Sequence, residues 1–317
     1  MKFFCVKIFA LFLLLFVFAA ASLADPVVTE LLSSGHMSEA VSALTSRQDA
    51  ASLSLLSRAY YAMECWDEAV RYGERAASLD PANASYHLWL ARAYGRKAAD
   101  SNPFAAAGLA RKAKNAFERS VQLDPANVQA RVDLAQYYTE APAVMGGGLD
   151  KARQQADEVA RYDRGMGHEI LARVAEKEKQ YAEAEAQWHA AIQESKNPAD
   201  MWLQLADFYR ERGRLDAMQS AVQSALALPH KRAESYFDAG SELYLGNRDL
   251  PGAVQCLQKY LSSGELVESA PAFRAHYLIG QLDEKMGRNG AAAAEYQASL
   301  ALASDFAPAR KALSRIQ

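Results

Sequence analysis

Gly146, Gly147 and Gly148, with Lys151 three residues further on, are the residues in this sequence whose types come nearest to cradling a phosphate. A phosphate-binding loop sets its lysine directly after the last glycine, follows it with Ser or Thr, and comes after a strand. Here Leu149 and Asp150 intervene. His168 and Glu169 begin a zinc-protease phrase, but the second histidine would fall at position 172, which is Ala172. His36, His87, His189, His230 and His276 stand singly, with no partner three or four residues away to share a helical face. Ser241 follows Gly240 without the strand-to-helix elbow of a nucleophile. Carboxylates mostly alternate with bases, as in Glu176, Lys177, Glu178 and Lys179, which describes a solvated helix face. The sequence thus offers no catalytic, metal-binding or cofactor-binding residue, and no cofactor is expected.

The elements that position these side chains follow a repeat. Pro81 and Pro125 each close a near-identical phrase, AASLDPANAS and SVQLDPANVQ. Counted from Ala50, Leu56 falls at position 7, Tyr60 at 11, Trp66 at 17, Ala69 at 20 and Ala76 at 27 of a 34-residue unit ending at Asn83. The register returns from Ala199 with Trp202, Leu205, Ala206, Tyr209 and Gly213, near Gly165 with Leu171, Ala172, Tyr181, Ala184 and Trp188, and near Phe273 with Ile279, Gly280, Gly287, Ala292 and Tyr296.

This period and register resemble the tetratricopeptide repeat family. The resemblance implies an all-α fold, a right-handed α-solenoid of about seven to eight helix-turn-helix repeats. The repeats are expected at 27–48, 50–83, 84–127, 128–164, 165–198, 199–232, 233–272 and 273–306, with a cap helix at 307–317. Small residues at positions 8 and 20 let the paired helices approach, and the Trp and Tyr residues of the register are read as core packing. In a linear stack the end repeats need polar outer faces, and Arg310, Lys311, Ser314 and Arg315 suit such a cap.

Two consecutive repeats are overlong. Pro81 to Pro125 spans 44 residues, ten more than the period, with the excess around 99–109; the next repeat has its excess around 141–149. Both insertions fall in the same turn of adjacent repeats and should emerge side by side on one edge. Their apolar residues, Phe104, Val144 and Met145 among them, are expected to pack on one another. The insertion phrases SNPFAAAG and APAVMGGG also resemble a group of bacterial exported tetratricopeptide proteins, which implies an envelope setting.

Lys2 and Lys7 precede an uncharged apolar run of 14 residues, Ile8 to Ala21, and the small residues Ser22 and Ala24 come before Asp25. That is a signal peptide's layout, shorter than the roughly 18 residues of a bilayer span. Residues 1–24 are therefore expected to be removed, with an uncleaved anchor as the alternative, because Phe3, Phe4 and Val6 could lengthen the run. An exported protein, periplasmic or secreted, with no stable membrane span after cleavage follows as the expectation. Loss of Lys2 and Lys7 turns 35 Lys plus Arg against 38 Asp plus Glu into 33 against 38, a net charge of −5. Nucleic acid is then an unsuitable partner. Cys65 and Cys256 would sit too far apart in a linear stack to be bridged.

In the family, positions 2, 5, 9, 12 and 13 of each first helix face the inner groove. Carried over, that register places Arg58, Tyr61, Arg92, Arg96, Gln136 and Arg173 on the groove of the N-terminal repeats, and Asp207, Arg210, Glu211, Tyr244 and Glu284 further along. The expected function is a non-catalytic scaffold or adaptor of the cell envelope, binding a peptide or protein segment in its groove, where the arginines suit an acidic one. The alternative is an enzyme, or the accessory subunit of one, with its site under the insertions at 99–109 and 141–149. A polar cluster with perturbed ionisation beneath those insertions would favour it.

Overall fold

A computed structural model describes residues 25–317 apart from His230 and Gln317, so the signal peptide expected at 1–24 lies outside the described residues. The helices run in pairs: α1 (Pro26–Ser34) and α2 (Met37–Leu44), α3 (Ala50–Ala62) and α4 (Trp66–Leu79), α5 (Ala84–Ala99) and α6 (Pro103–Leu123). Next come α7 (Val128–Glu140) and α8 (Leu149–Ala160), with a 3-10 turn at Ala143–Met145 between them. Then follow α9 (Arg164–Lys177) and α10 (Tyr181–Glu194), α11 (Pro198–Glu211) and α12 (Leu215–Ala227), α13 (Glu234–Leu245) and α14 (Leu250–Leu261). The series ends with α15 (Ala272–Lys285), α16 (Asn289–Leu302) and the single helix α17 (Ala307–Ile316). Among the described residues there is no strand, and no helix is long and apolar enough to cross a membrane.

The repeated phrase LDPAN is a turn with a role for each letter. Asp80 and Asp124 are the C-caps of α4 and α6, and each proline follows where the helix can no longer continue. Asn83 and Asn127 are N-caps whose side chains accept from Ser85 N and Ala130 N, starting the next helix. Within the short repeats, the residue fifteen places in is left-handed: Glu64, Lys179 and Asn247 as well as Gly213 and Gly287 all have positive φ. That single residue reverses the chain between paired helices. Position 8 holds Ala91, Ala135, Ala172 and Ala206, all buried, and Gly280, where a Cβ would stand 2.5 Å from the Tyr296 ring. Neighbouring repeats are stitched by phenols: Tyr138 Oη donates to Glu118 at 2.9 Å and Tyr209 Oη to Glu185 at 2.6 Å, with Tyr94 to Glu74 in the same place.

First helices of adjacent repeats touch, as α3 does α5, α7 does α9, α11 does α13 and α13 does α15. The stack therefore curves with the first helices inside. It curves far enough to close. Val28, Leu32, Met37 and Leu44 of α1 and α2 share one apolar cluster with Leu53 and Leu56 of α3, and also with Phe273, Ala303, Phe306 and Ala309 near the other end of the chain. Polar contacts cross the same seam: Ser304 N donates to Ser38 Oγ at 2.9 Å, and Arg58 Nε to Glu268 Oε1 at 2.9 Å. Arg274 Nη2 donates to Ala62 O at 2.9 Å and pairs with Glu64 at 3.0 Å. The linear stack is thus corrected: the chain's two ends cover each other's apolar faces. The closing helix α17 packs on α16 with Arg310, Lys311, Ser314 and Arg315 exposed, as a cap requires, and it flanks the junction.

The overlong repeats differ from expectation as well. The extra residues around 99–109 form no loop; they lengthen α5 to 16 and α6 to 21 residues, leaving only Asp100–Asn102 between them. Asn102 caps α6 through Phe104 N and Ala105 N, Pro103 occupies the first turn, and the alanines that follow favour helix. The segment 141–149 is a loop, where a Cβ at Gly147 would lie 1.8 Å from Ala141 O and Gly146 has φ 89°. Phe104 is 94% and Val144 87% exposed, so the expected packing of the insertions on one another is not formed. The first turn of the lengthened α6 carries Phe104 into solvent instead.

The closure makes a prediction through two glycines. Gly35 and Gly213 both have positive φ, but a Cβ at Gly213 meets nothing within 4 Å, whereas at Gly35 it would lie 2.6 Å from Ala272 N across the seam. Gly213→Ala should cost about 1 kcal/mol for the left-handed backbone alone. Gly35→Ala should cost about 1–3 kcal/mol more, since the seam must move. Urea denaturation of both variants measures this, and equal losses would contradict the closed ring.

Candidate protein-binding site

The inner face of the first two full repeats carries a wall of stacked aromatic and guanidinium groups. Tyr61, at the end of α3, sits edge-on between Trp66 of α4 (centroids 5.5 Å apart) and Trp89 of α5 (5.7 Å). Arg58 and Arg92 lie over the Trp89 ring at 5.1 and 4.6 Å, and Arg96 over Trp66 at 5.4 Å. Each of these stacks is favourable. All three rings remain half-buried, leaving part of each open to solvent. Burial raises the Tyr61 pKa, and the charges of Arg96 and Arg92 partly offset it.

Of the residues expected on the groove, Arg58, Tyr61, Arg92 and Arg96 therefore come together. Gln136 and Arg173 do not join them; with Asp133 and Glu169 they line a separate cavity of about 120 Å3 between α7 and α9. The guanidiniums are also less free than the sequence suggests. Arg58 is held by Glu268, Arg92 Nε donates to Asp133 Oδ2 at 2.6 Å, and Arg173 contacts Glu169 at 3.2 Å and Gln204 at 2.7 Å. Arg210 continues the series, pairing with Asp207 and, at 3.0 Å, with Glu242. Inner-face arginines thus tie α5 to α7, α9 to α11 and α11 to α13. Among the described residues Arg96 has no acidic partner.

Sequence reading missed Trp89 and misassigned Trp66 to the core. Trp89 stands three residues before Arg92 and seven before Arg96, which puts all three on one helical face. That spacing was a usable signal. Tyr181, also expected in the core, is 39% exposed, whereas Trp188 and Tyr296 are buried as expected.

Beneath the loop 141–149 lie anchoring contacts. Tyr137 Oη donates to Met145 O at 2.9 Å, Gly148 N to Tyr138 O at 2.9 Å, and Lys151 Nζ to Gly146 O at 3.0 Å. The lysine after the glycines thus holds the loop's own backbone. His168 Nδ1 bonds Gln187, Glu169 pairs with Arg173, and Ser241 Oγ donates to Phe237 O. The perturbed carboxylates lie elsewhere, on α13: burial, then the charges of Glu234 and Asp200, raises Asp238 to about 7, with Arg232 opposing. Burial and Asp207 raise Glu242 to about 7 against Arg210.

Comparison with known proteins agrees with this architecture. The tetratricopeptide repeat family model matches residues 273–306, the repeat formed by α15 and α16. No curated protein sequence matches the chain. Among solved structures, yeast Tom70 superposes with a TM-score of 0.54 at 14% identity, over 88% of this chain and 58% of that one. The APC/C hetero-tetramer Cut9-Hcn1 gives a TM-score of 0.42 at 14% identity; this chain matches over 92% of its own length and spans about half, 54%, of that chain. A tetratricopeptide repeat protein from Parabacteroides merdae ATCC 43184 gives 0.41 at 15% identity, over 90% and 92% of the two chains. The fold defines the class, an all-α repeat solenoid. Residues 273–306 are a tetratricopeptide repeat, and the other helix pairs stack on it in the same register.

The α13 carboxylates predict the pH dependence of stability. Their folded-state pKa values lie above the unfolded ones, so between about pH 4 and 7 the native state holds protons that the unfolded chain releases, and stability falls as pH rises through that window. Denaturation from pH 5.5 to 8 should show this fall. Asp238→Asn should lessen it and stabilise the protein at pH 8; an unchanged profile would contradict the assignment.

Proposed function

We propose that the protein is a non-catalytic scaffold of the cell envelope, exported by its N-terminal apolar segment, that holds a segment of another protein against the inner face of its ring. The observation that carries this reading is the Tyr61, Trp66 and Trp89 wall with its three arginines. Trp, Tyr and Arg dominate the energetics of protein interfaces, and here they are held in place by one another while keeping open faces. Because Arg58 and Arg92 already have carboxylate partners, the wall recognises by stacking and shape more than by free charge. Export rests on the layout of Lys2, Lys7 and the run Ile8 to Ala21.

The test is site-directed photocrosslinking in the native envelope. A photoreactive aromatic at position 89 should capture a discrete partner, and the same group at Ser220, exposed on α12, should not. Trp89→Ala should weaken the captured complex by more than about 2 kcal/mol, roughly thirtyfold, without unfolding the protein. Equal capture from both positions, or a protein found only in the cytoplasm with residues 1–24 attached, would contradict the proposal.

A further inference from the structure

The two ends of the chain line an open cleft of about 730 Å3. Trp66, Arg96 and Asp100 line it from the N-terminal side, and Tyr277, Lys311 and Arg315 from the C-terminal side. Its walls are more than 150 residues apart in sequence, so it exists only while the ring is closed. A site of this size falls within the usual range of ligand pockets, about 300–1,000 Å3.

The charges around it do not balance. Glu64, also on its wall, is engaged by Arg274, and Arg315 is engaged by Glu284 at 2.8 Å. Arg96 rests on the Trp66 ring, and among the described residues neither Arg96 nor Lys311 forms an ion pair. Both are exposed. Lys311 and Arg315 are one helical turn apart on α17, where like charges repel. Asp100 is the lining carboxylate left to answer them, with Glu68 and Asp305 near Cys65 on the same wall facing Arg310. The chain as a whole is acidic, with a formal net charge of −3, so a locally basic cleft is where an acidic chain would be drawn.

We infer that this seam cleft binds an acidic peptide segment, its carboxylates on Arg96 and Lys311 and its backbone across Trp66 and Tyr277. Because the segment touches both ends of the chain, its binding tightens the ring. The inference rests on the reading of the inner wall as the docking surface, since Trp66 and Arg96 belong to both, and it adds the partner's chemistry and the part played by α17.

An octaglutamate peptide, with octaglutamine as its neutral control, tests this by calorimetry and thermal melting of the full protein. Octaglutamate should bind and raise the melting midpoint, octaglutamine should do neither, and affinity should fall at least about tenfold as salt rises from ~50 to ~300 mM. Lys311→Glu should weaken binding at least about tenfold and Asp100→Asn should strengthen it, while Arg119→Glu, the same charge reversal on exposed α6 surface, should leave it unchanged. All three positions are exposed, and unliganded melting confirms that each variant folds. No octaglutamate binding, equal binding of octaglutamine, or full binding by Lys311→Glu would overturn the inference. Octaglutamate bound at the seam without capture from position 89 would reject the wall as the docking surface and leave the seam site standing.

Discussion

Phe306 lies with its ring centroid 5.0 Å from Phe273 and 5.2 Å from Tyr277, in the same apolar cluster as Leu32, Met37 and Leu53 from the beginning of the chain. The rest of the architecture depends on that contact. A repeat stack gains stability from neighbours, and its first and last units lack one each. Here α1 and α2, nine and eight residues long, are too short to form a stable layer alone, yet they are buried between α3 on one side and residues of α15 to α17 on the other. The entropic cost of joining distant parts of a chain grows only slowly with separation. The geometric demand is steeper, since the rotations of all the repeats must add to one turn.

The inner face shows how that demand is met. Arg92 reaches Asp133, Arg173 reaches Gln204, Arg210 reaches Glu242, and at the seam Arg58 reaches Glu268 while Arg274 reaches Ala62 and Glu64. An arginine that bridges two first helices fixes their spacing on the concave side, and the planar guanidinium does so with direction as well as charge. The same groups form the wall around Trp89, so curvature and candidate binding surface share side chains. Substituting Arg92 would disturb both, whereas Arg96, stacked on Trp66 without a carboxylate, belongs to the surface alone.

The repeat was legible because it is local. Pro81, Pro125 and the asparagines after them state where helices stop and start, and the small residues at position 8 state where helices approach. The signal at Asn102–Pro103 was equally local, and reading it as a helix start would have converted an expected loop into the N-terminus of α6. Closure was not legible. Arg58 and Glu268 are separated by 210 residues and Ser38 and Ser304 by 266, and no periodicity relates them. The site was readable in proportion: helix register picked out Arg58, Tyr61, Arg92 and Arg96, but which of them would be neutralised depended on acids brought from other repeats.

Ring closure is the claim on which the wall, the seam and the role of α17 all rest, and proximity of the two ends measures it directly. In the chain from Asp25 onward, which lacks Cys5, and with Cys65 and Cys256 replaced by serine, Ser38→Cys and Ser304→Cys place two thiols where the serine hydroxyl oxygens lie 3.1 Å apart. Mild oxidation of the dilute monomer should yield an intramolecular disulfide nearly to completion, with a rise in melting midpoint that reduction reverses. Thiols that stay free, or that link only different molecules, would show an open solenoid and contradict the account.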